Sequence, residues 1–160
     1  MASVLAARGV KQVICISRGT KYGVPFIDRL YAMVARNITS PFTFTCFTDS
    51  RDNLRPEILC EDLPPLDVDM PTDTKGIWPK ARLWGPKPDN LKDPVLFCDL
   101  DVVFVGSLDS FFEIGEPDDV VLAVNQTTPF ERLGQTSVFR FPVGKLVPLQ
   151  EKFPADPQGV

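Results

Sequence analysis

Asp93-Pro94-Val95-Leu96-Phe97-Cys98-Asp99-Leu100-Asp101-Val102-Val103-Phe104-Val105-Gly106-Ser107-Leu108-Asp109 is the stretch around which the rest of the chain is organised. Asp93-Pro94 opens it as a turn signal. The apolar run that follows has the length of a buried strand and is too short to span a membrane. Asp99 and Asp101 interrupt the run, and then its apolar character resumes. On an extended chain successive side chains alternate faces, so Asp99 and Asp101 point one way and Leu100 the other. Two carboxylates close together repel, and burial makes each harder to ionise. A divalent cation with oxygen ligands is the simplest compensation. One carboxylate at a strand end marks only the return of the chain to water. Two on one face, with apolar residues on both sides, fit a cation site better.

The 160 residues suit a single domain, 1–160, with one core. Net charge is −4 and no long basic run occurs, which argues against nucleic acid as a partner. The chain has no histidine, which removes Ser-His and Cys-His catalysis, histidine bases and the usual zinc sites. Cysteines stand at 15, 46, 60 and 98 without a C-x-x-C pair. Cys15, Cys46 and Cys98 lie in apolar, strand-like runs, where a thiol packs as a small hydrophobe. Reduced thiols are the expectation, with pairing left open. The apolar patch near the N-terminus is broken by Arg8 and Gly9 and lacks the order of a signal peptide. With no membrane-spanning segment either, a cytoplasmic location is expected.

Lys11–Ser17 reads as a first buried strand, followed by the polar turn Arg18–Gly23. Pro25 opens a helix whose Ile27, Leu30, Tyr31, Val34 and Ile38 recur at helical spacing. Asn37–Pro41 ends it, and the alternating Phe42–Phe47 is a second strand. Strand, helix and strand in so short a span predict a βαβ unit in a parallel sheet. Ligands of such sheets bind beyond the carboxyl ends of the strands. Ser17–Tyr22, Thr48–Asp49 and Asp99–Asp101 all fall at such ends. A short strand is expected near Ile58–Cys60 within the proline-rich, acidic Arg55–Asp73. Pro79 starts a short helix bearing Lys80, Arg82 and Trp84, and on helical grounds alone its cations read as solvated. Gly85–Asp93 is again proline-rich. Leu108, Phe111 and Phe112 predict a docking turn, Asp119–Asn125 and Thr136–Phe141 two more strands, and Lys145–Phe153 a last helix.

Two segments, Trp78-Pro79-Lys80-Ala81-Arg82-Leu83-Trp84 and the Asp99-Leu100-Asp101 strand through Leu108, together resemble nucleotide-sugar glycosyltransferases of the GT-A fold. The likeness is to the family-eight type, which includes glycogenin and bacterial lipopolysaccharide glycosyltransferases. It implies an α/β, Rossmann-like, mixed but mostly parallel sheet flanked by helices. It implies transfer of a sugar from a UDP-sugar donor, with retention, to an unidentified sugar, lipid or protein acceptor. By the same resemblance Asp99 and Asp101 hold Mn²⁺ or Mg²⁺ against the donor diphosphate. Lys80 reaches the donor phosphates and sugar, with help from Arg18 or Arg82. Ser17 and the turn through Tyr22 cradle the uridine, Thr48 and Asp49 form a second nucleoside loop, and Leu100 lies on the donor side. Gln135, Thr136 and Ser137, together with Asn125, fall on the acceptor and sugar side. No nucleophile is identified.

The chain departs from that family at Gln135-Thr136-Ser137, where relatives often carry Asn-Ser-Gly or Asn-Ser-Ser, and again in its C-terminal part. Relatives take a third metal ligand from a C-terminal histidine, whereas this chain has none and ends at Val160. A fragment, or a minimal domain that completes its metal shell with water, phosphate or a partner, is therefore expected. Two protein ligands suffice for a cation that also borrows phosphate oxygens. Two other readings stay open. A truncated core can bind a nucleotide or a partner without transferring anything. Haloacid dehalogenase-type phosphatases also carry a hydrophobic-D-x-D strand, but near the N-terminus and followed by Gly-Thr, where this chain has Val102-Val103.

Overall fold

The computed structural model describes residues 9–65, 78–85, 91–92, 94–127, 129–131 and 133–152. The expected Asp93-Pro94 turn, most of Gly85–Asp93 and the loop beyond residue 65 thus lie outside the described residues.

Lys11–Ser17 is a strand, β1, in which Val13, Ile14 and Cys15 are fully buried. Burial on both faces is what a near-continuous apolar run requires. Pro25 sits in the first turn of helix α1, Val24–Asn37, which buries Ile27, Leu30, Met33 and Val34 against the sheet. Strand β2, Phe42–Thr48, lies parallel to β1 from Lys11↔Phe42 to Ser17↔Thr48. Strand β3, Ile58–Glu61, lies parallel to β2, and β4, Val95–Cys98, parallel to β1. Strands β5, Val121–Val124, and β6, Gly134–Phe141, complete a six-stranded sheet among the described residues, in the order β3-β2-β1-β4-β6-β5. The pairings β4–β6 and β5–β6 are antiparallel.

The expected α/β class and mixed, mostly parallel sheet are thus present. Val13, Cys15, Phe44, Cys46, Leu96 and Cys98 form one core with α1. Helix α2, Asp109–Glu113, packs Phe111 and Phe112 on the same core. Ile14, Phe47, Val95, Phe97, Phe139 and Phe141 form a second core on the other face, closed by Leu83 and Val143. Helix α3, Val147–Lys152, starts two residues later than expected, after the Gly144 turn at φ +85°. No described helix is long and apolar enough to cross a membrane.

Two structural details differ from the sequence expectation. The D-x-D triplet is not extended: β4 ends at Cys98, and Leu100-Asp101 form a turn. The last ladder bond is Asp99 N–H donating to the Ser137 carbonyl at 2.8 Å. Leu100 then turns into the α1 core at 6% exposure. In addition, β5 pairs with β6 in two registers, Leu122↔Phe139 and then Ala123↔Gln135. Thr136, Ser137 and Val138 bulge between them, which leaves their backbone free to face another element.

A buried ion pair locks the end of the sheet opposite the cleft. Lys11 Nζ donates to Asp109 Oδ1 at 2.5 Å, and Thr39 Oγ1 and Ser107 Oγ donate to Asp109 Oδ2 at 2.7 and 3.1 Å. Burial alone would raise the Asp109 pKa, but the bonds from Lys11, Thr39 and Ser107 outweigh it. They hold the carboxyl well below the usual carboxylate range.

The cysteines form a row. Cys15 pairs with Cys46 and Cys46 with Cys60 across β1, β2 and β3, and Cys98 follows the Phe97↔Ile14 pair on β4. All four are free thiols. Burial pushes the Cys15, Cys60 and Cys98 thiols above their ordinary pKa.

Two outcomes follow from these features. Asp109→Asn lowers unfolding free energy at pH 7 by about 3 kcal/mol, the scale for breaking a buried pair. A depressed folded-state pKa contributes stability that is full above the unfolded value of ~3.9 and lost below it. Urea unfolding should therefore show the gap between wild type and Asp109→Asn closing as pH falls; a gap unchanged down to acid pH contradicts the assignment. In a thiol titration without reductant, the denatured chain yields all four thiols of the sequence, while the native chain exposes Cys60 alone to reagent. Recovery of fewer from the denatured chain would show pairing.

Candidate functional site

The carboxyl ends of β1 and β4 open onto one cleft of about 290 Å³. Ile16, Arg18, Lys21, Tyr22, Pro79, Lys80, Phe97, Asp99, Leu100 and Asp101 line it. The sheet places Asp99 and Asp101 because β4 stops one residue short of them. The loop after β1 places Arg18, Lys21 and Tyr22, and it turns at Gly19, whose φ is +68°. Glycine reaches that region without strain. Gly19 N–H donates to Asp49 Oδ2 at 3.1 Å, which ties this loop to the end of β2.

Lys80 reaches the cleft from the 3₁₀ helix Trp78–Trp84. Three residues per turn put positions i and i+3 on one side, so Lys80 and Leu83 both face inward and are buried. The expected solvated cation is therefore a buried one, at 8% exposure. A buried ammonium needs partners, and Lys80 has three. Its Nζ donates to Asp99 Oδ2 and to the Thr136 carbonyl, both at 2.9 Å, and stands 4.9 Å from the Phe97 ring centroid. The carbonyl comes from the bulge in β6.

Asp101 is exposed, and its Oδ2 accepts the Tyr22 hydroxyl at 2.7 Å. Lys21 stands 4.6 Å from the Tyr22 ring centroid. Its interaction with the Tyr22 side chain, helped by Asp101 and Asp99, raises the Lys21 pKa. The cleft thus carries three cations, Arg18, Lys21 and Lys80, beside two carboxylates.

A neighbouring hollow of about 200 Å³ is lined by Arg18, Thr48, Asp49, Asp62, Leu63 and Arg82. Thr48 Oγ1 donates to the Ser50 carbonyl at 2.9 Å, and Arg82 donates to the Pro64 carbonyl at 3.2 Å. Arg18 borders both hollows.

The structure thus gathers Arg18, Tyr22, Lys80, Asp99, Leu100 and Asp101 in one cleft, with Thr48, Asp49 and Arg82 next to it. Ser17 is buried beneath them, with its hydroxyl 3.5 Å from the Tyr22 carbonyl. The acceptor-side candidates are placed differently. Asn125 Oδ1 accepts from the Thr127 N–H and hydroxyl, and Gln135 Oε1 accepts from the Ser137 N–H. Thr136 and Ser137 meet the site through their carbonyls. Lys21, Phe97 and Asp62 were not singled out from the sequence. Lys21 was inside the polar turn already marked. Phe97 and Asp62 had no local signal, because strand pairing alone brings them to the site.

The donor set fits a divalent cation, since Asp99 and Asp101 present hard carboxylate oxygens to the same open cleft. Among the described residues no third His, Cys, Asp or Glu joins them as a ligand group.

No protein-family model matches the chain, and no curated protein sequence matches it. Solved structures do. The apo form of the glycosyltransferase GlyE from Streptococcus pneumoniae TIGR4 superposes with a TM-score of 0.62 at 12% identity, over 95% of this chain and 40% of that one. The galactosyltransferase LgtC, solved with donor and acceptor sugar analogs, superposes with a TM-score of 0.55 at 14% identity, over 84% of this chain and 58% of that one. The chain therefore shares the fold of these glycosyltransferases and spans less than two thirds of either.

Removing the buried cation tests the geometry of the cleft. Lys80→Met costs about 2 kcal/mol, the range for hydrogen bonds to charged groups. Lys21→Ala, on the rim, leaves the urea midpoint where it was. Equal midpoints for Lys80→Met and wild type would contradict the buried placement of Lys80.

Proposed function

We propose that the chain carries the donor half of a nucleotide-sugar glycosyltransferase site, working with Mn²⁺ or Mg²⁺ on a UDP-sugar. One observation carries the reading: Asp99, Asp101, Lys80, Arg18, Lys21 and Tyr22 converge on a single cleft at the carboxyl ends of parallel strands. Such ends are where open α/β sheets bind ligands. The shared fold agrees with this reading.

In this reading Asp99 and Asp101 hold the cation. When bound, it neutralises charge growing on the departing diphosphate. The chain's own groups do the rest. Lys80, fixed by Asp99 and the Thr136 carbonyl, presents a positive charge at the cleft wall beside the leaving phosphates. Arg18 and Lys21 add positive charge at the rim. The hollow lined by Thr48, Asp49, Asp62 and Arg82 takes the nucleoside. The Phe97 face and the Ile16 side chain exclude water from the floor. No side chain is assigned as nucleophile, and retention at the sugar carbon is the proposed outcome. The acceptor is a sugar, lipid or protein hydroxyl.

Calorimetry tests the reading. UDP is expected to bind with Mn²⁺ and to lose affinity with chelator. Asp101→Asn should weaken it about tenfold or more, the value of a charge-assisted contact of roughly 1.5 kcal/mol. Equal affinity with and without chelator rejects the metal. Incubation with UDP-glucose or UDP-galactose then separates transferase from binder. UDP release above the Asp101→Asn control shows chemistry. Metal-dependent binding without release shows a binding module. Phosphate release from a phosphomonoester, lost in Asp99→Asn, would replace this reading with a phosphatase.

A further inference from the structure

We infer that Tyr22 and Lys80 are internal caps on the carboxylate pair, so that a divalent cation enters the cleft with a diphosphate and not ahead of it. The inference rests on the donor-site reading above and adds to it a rule for the order of binding. Each carboxylate of the pair has a donor on one oxygen. Tyr22 hydroxyl donates to Asp101 Oδ2 at 2.7 Å, and Lys80 Nζ donates to Asp99 Oδ2 at 2.9 Å.

The two caps differ in kind. Lys80 is a buried charge, held on its far side by the Thr136 carbonyl. It repels a bare dication a few ångströms away through a poorly screened medium. Tyr22 is a neutral phenol on the loop between β1 and α1, its ring packed on Phe26 with centroids 4.9 Å apart. It neutralises nothing, but its hydrogen bond must break before Asp101 can offer that oxygen to a metal. A cation arriving alone therefore loses one hydrogen bond and meets one ammonium. A diphosphate changes both terms. Its oxygens accept from the phenol and the ammonium that are displaced, and they supply ligands to the cation. Each ligand then raises the affinity of the other by the same factor, as linkage requires.

The test measures free Mn²⁺ by electron paramagnetic resonance during titration of the full chain without nucleotide. Tyr22→Phe should bind bare Mn²⁺ about fivefold more tightly than wild type, the value of one exposed hydrogen bond. Tyr22→Phe with Asp101→Asn added should lose that gain. A Tyr22→Phe chain that binds bare Mn²⁺ no more tightly, while wild type takes up Mn²⁺ with UDP, overturns the capping and leaves the donor site standing. No uptake by either chain, even with UDP, overturns both. The wild-type chain gives an independent readout. With ¹³C at tyrosine Cζ, Mg²⁺ plus UDP should shift one of the two tyrosine resonances, and Mg²⁺ alone should not. A resonance that Mg²⁺ alone shifts as far, or that neither moves, also overturns the capping.

Discussion

The cleft depends on one buried ammonium. Lys80 belongs to a 3₁₀ helix, accepts its compensation from the end of β4 and from the bulge of β6, and rests on an aromatic floor. Three elements remote in sequence are held by a single cation. That arrangement carries a physical obligation. A charge at this depth is tolerated only while its acceptors stay in place. Asp99 therefore serves the fold as well as the cleft, and any ligand that engages Asp99 also acts on the anchor of the 3₁₀ helix.

The bulge in β6 shows how a sheet can supply such an acceptor. A regular ladder would leave the Thr136 carbonyl paired with β5. The slip from Phe139 to Gln135 opposite consecutive β5 residues releases it toward Lys80. The inner half of β6 remains in register with β4, from Val95↔Phe141 to Cys98↔Val138. The same strand is thus regular where it builds the core and irregular where it meets the site.

Much of the fold was legible in the sequence, because its period was local. Lys11–Ser17 and Phe42–Thr48 announce themselves by β-branched and aromatic runs, and α1 by its Ile27, Leu30 and Val34 spacing. The paired aspartates, the turn through Tyr22 and Thr48-Asp49 were legible as strand ends. Lys80 was not legible as a buried residue. Its burial comes from 3₁₀ geometry and from a carbonyl 56 residues away, neither of which leaves a local mark. The turn at Leu100-Asp101 was hidden for a similar reason. An alternating pattern reads as extended until tertiary packing draws Leu100 into the core. Asn125 and Gln135 satisfy their side chains locally, a choice that Asx-type bonding makes available to any such residue.

The row of cysteines bears on how the sheet is aligned. Cys60, Cys46, Cys15 and Cys98 mark the same level on four adjacent parallel strands. Their neighbours along the strands, Ile14, Phe47 and Phe97, are bulky and belong to the opposite face. A one-residue slip of β1, β2 or β4 toward these neighbours would exchange a thiol for a bulky side chain, because the side-chain period is two. The row would then carry a large knob under α1 and leave a void on the far side. Small side chains at a common level therefore act as alignment marks, which reject a misthreaded sheet by volume alone. Parallel strands, which no tight hairpin can index, are where such marks discriminate most.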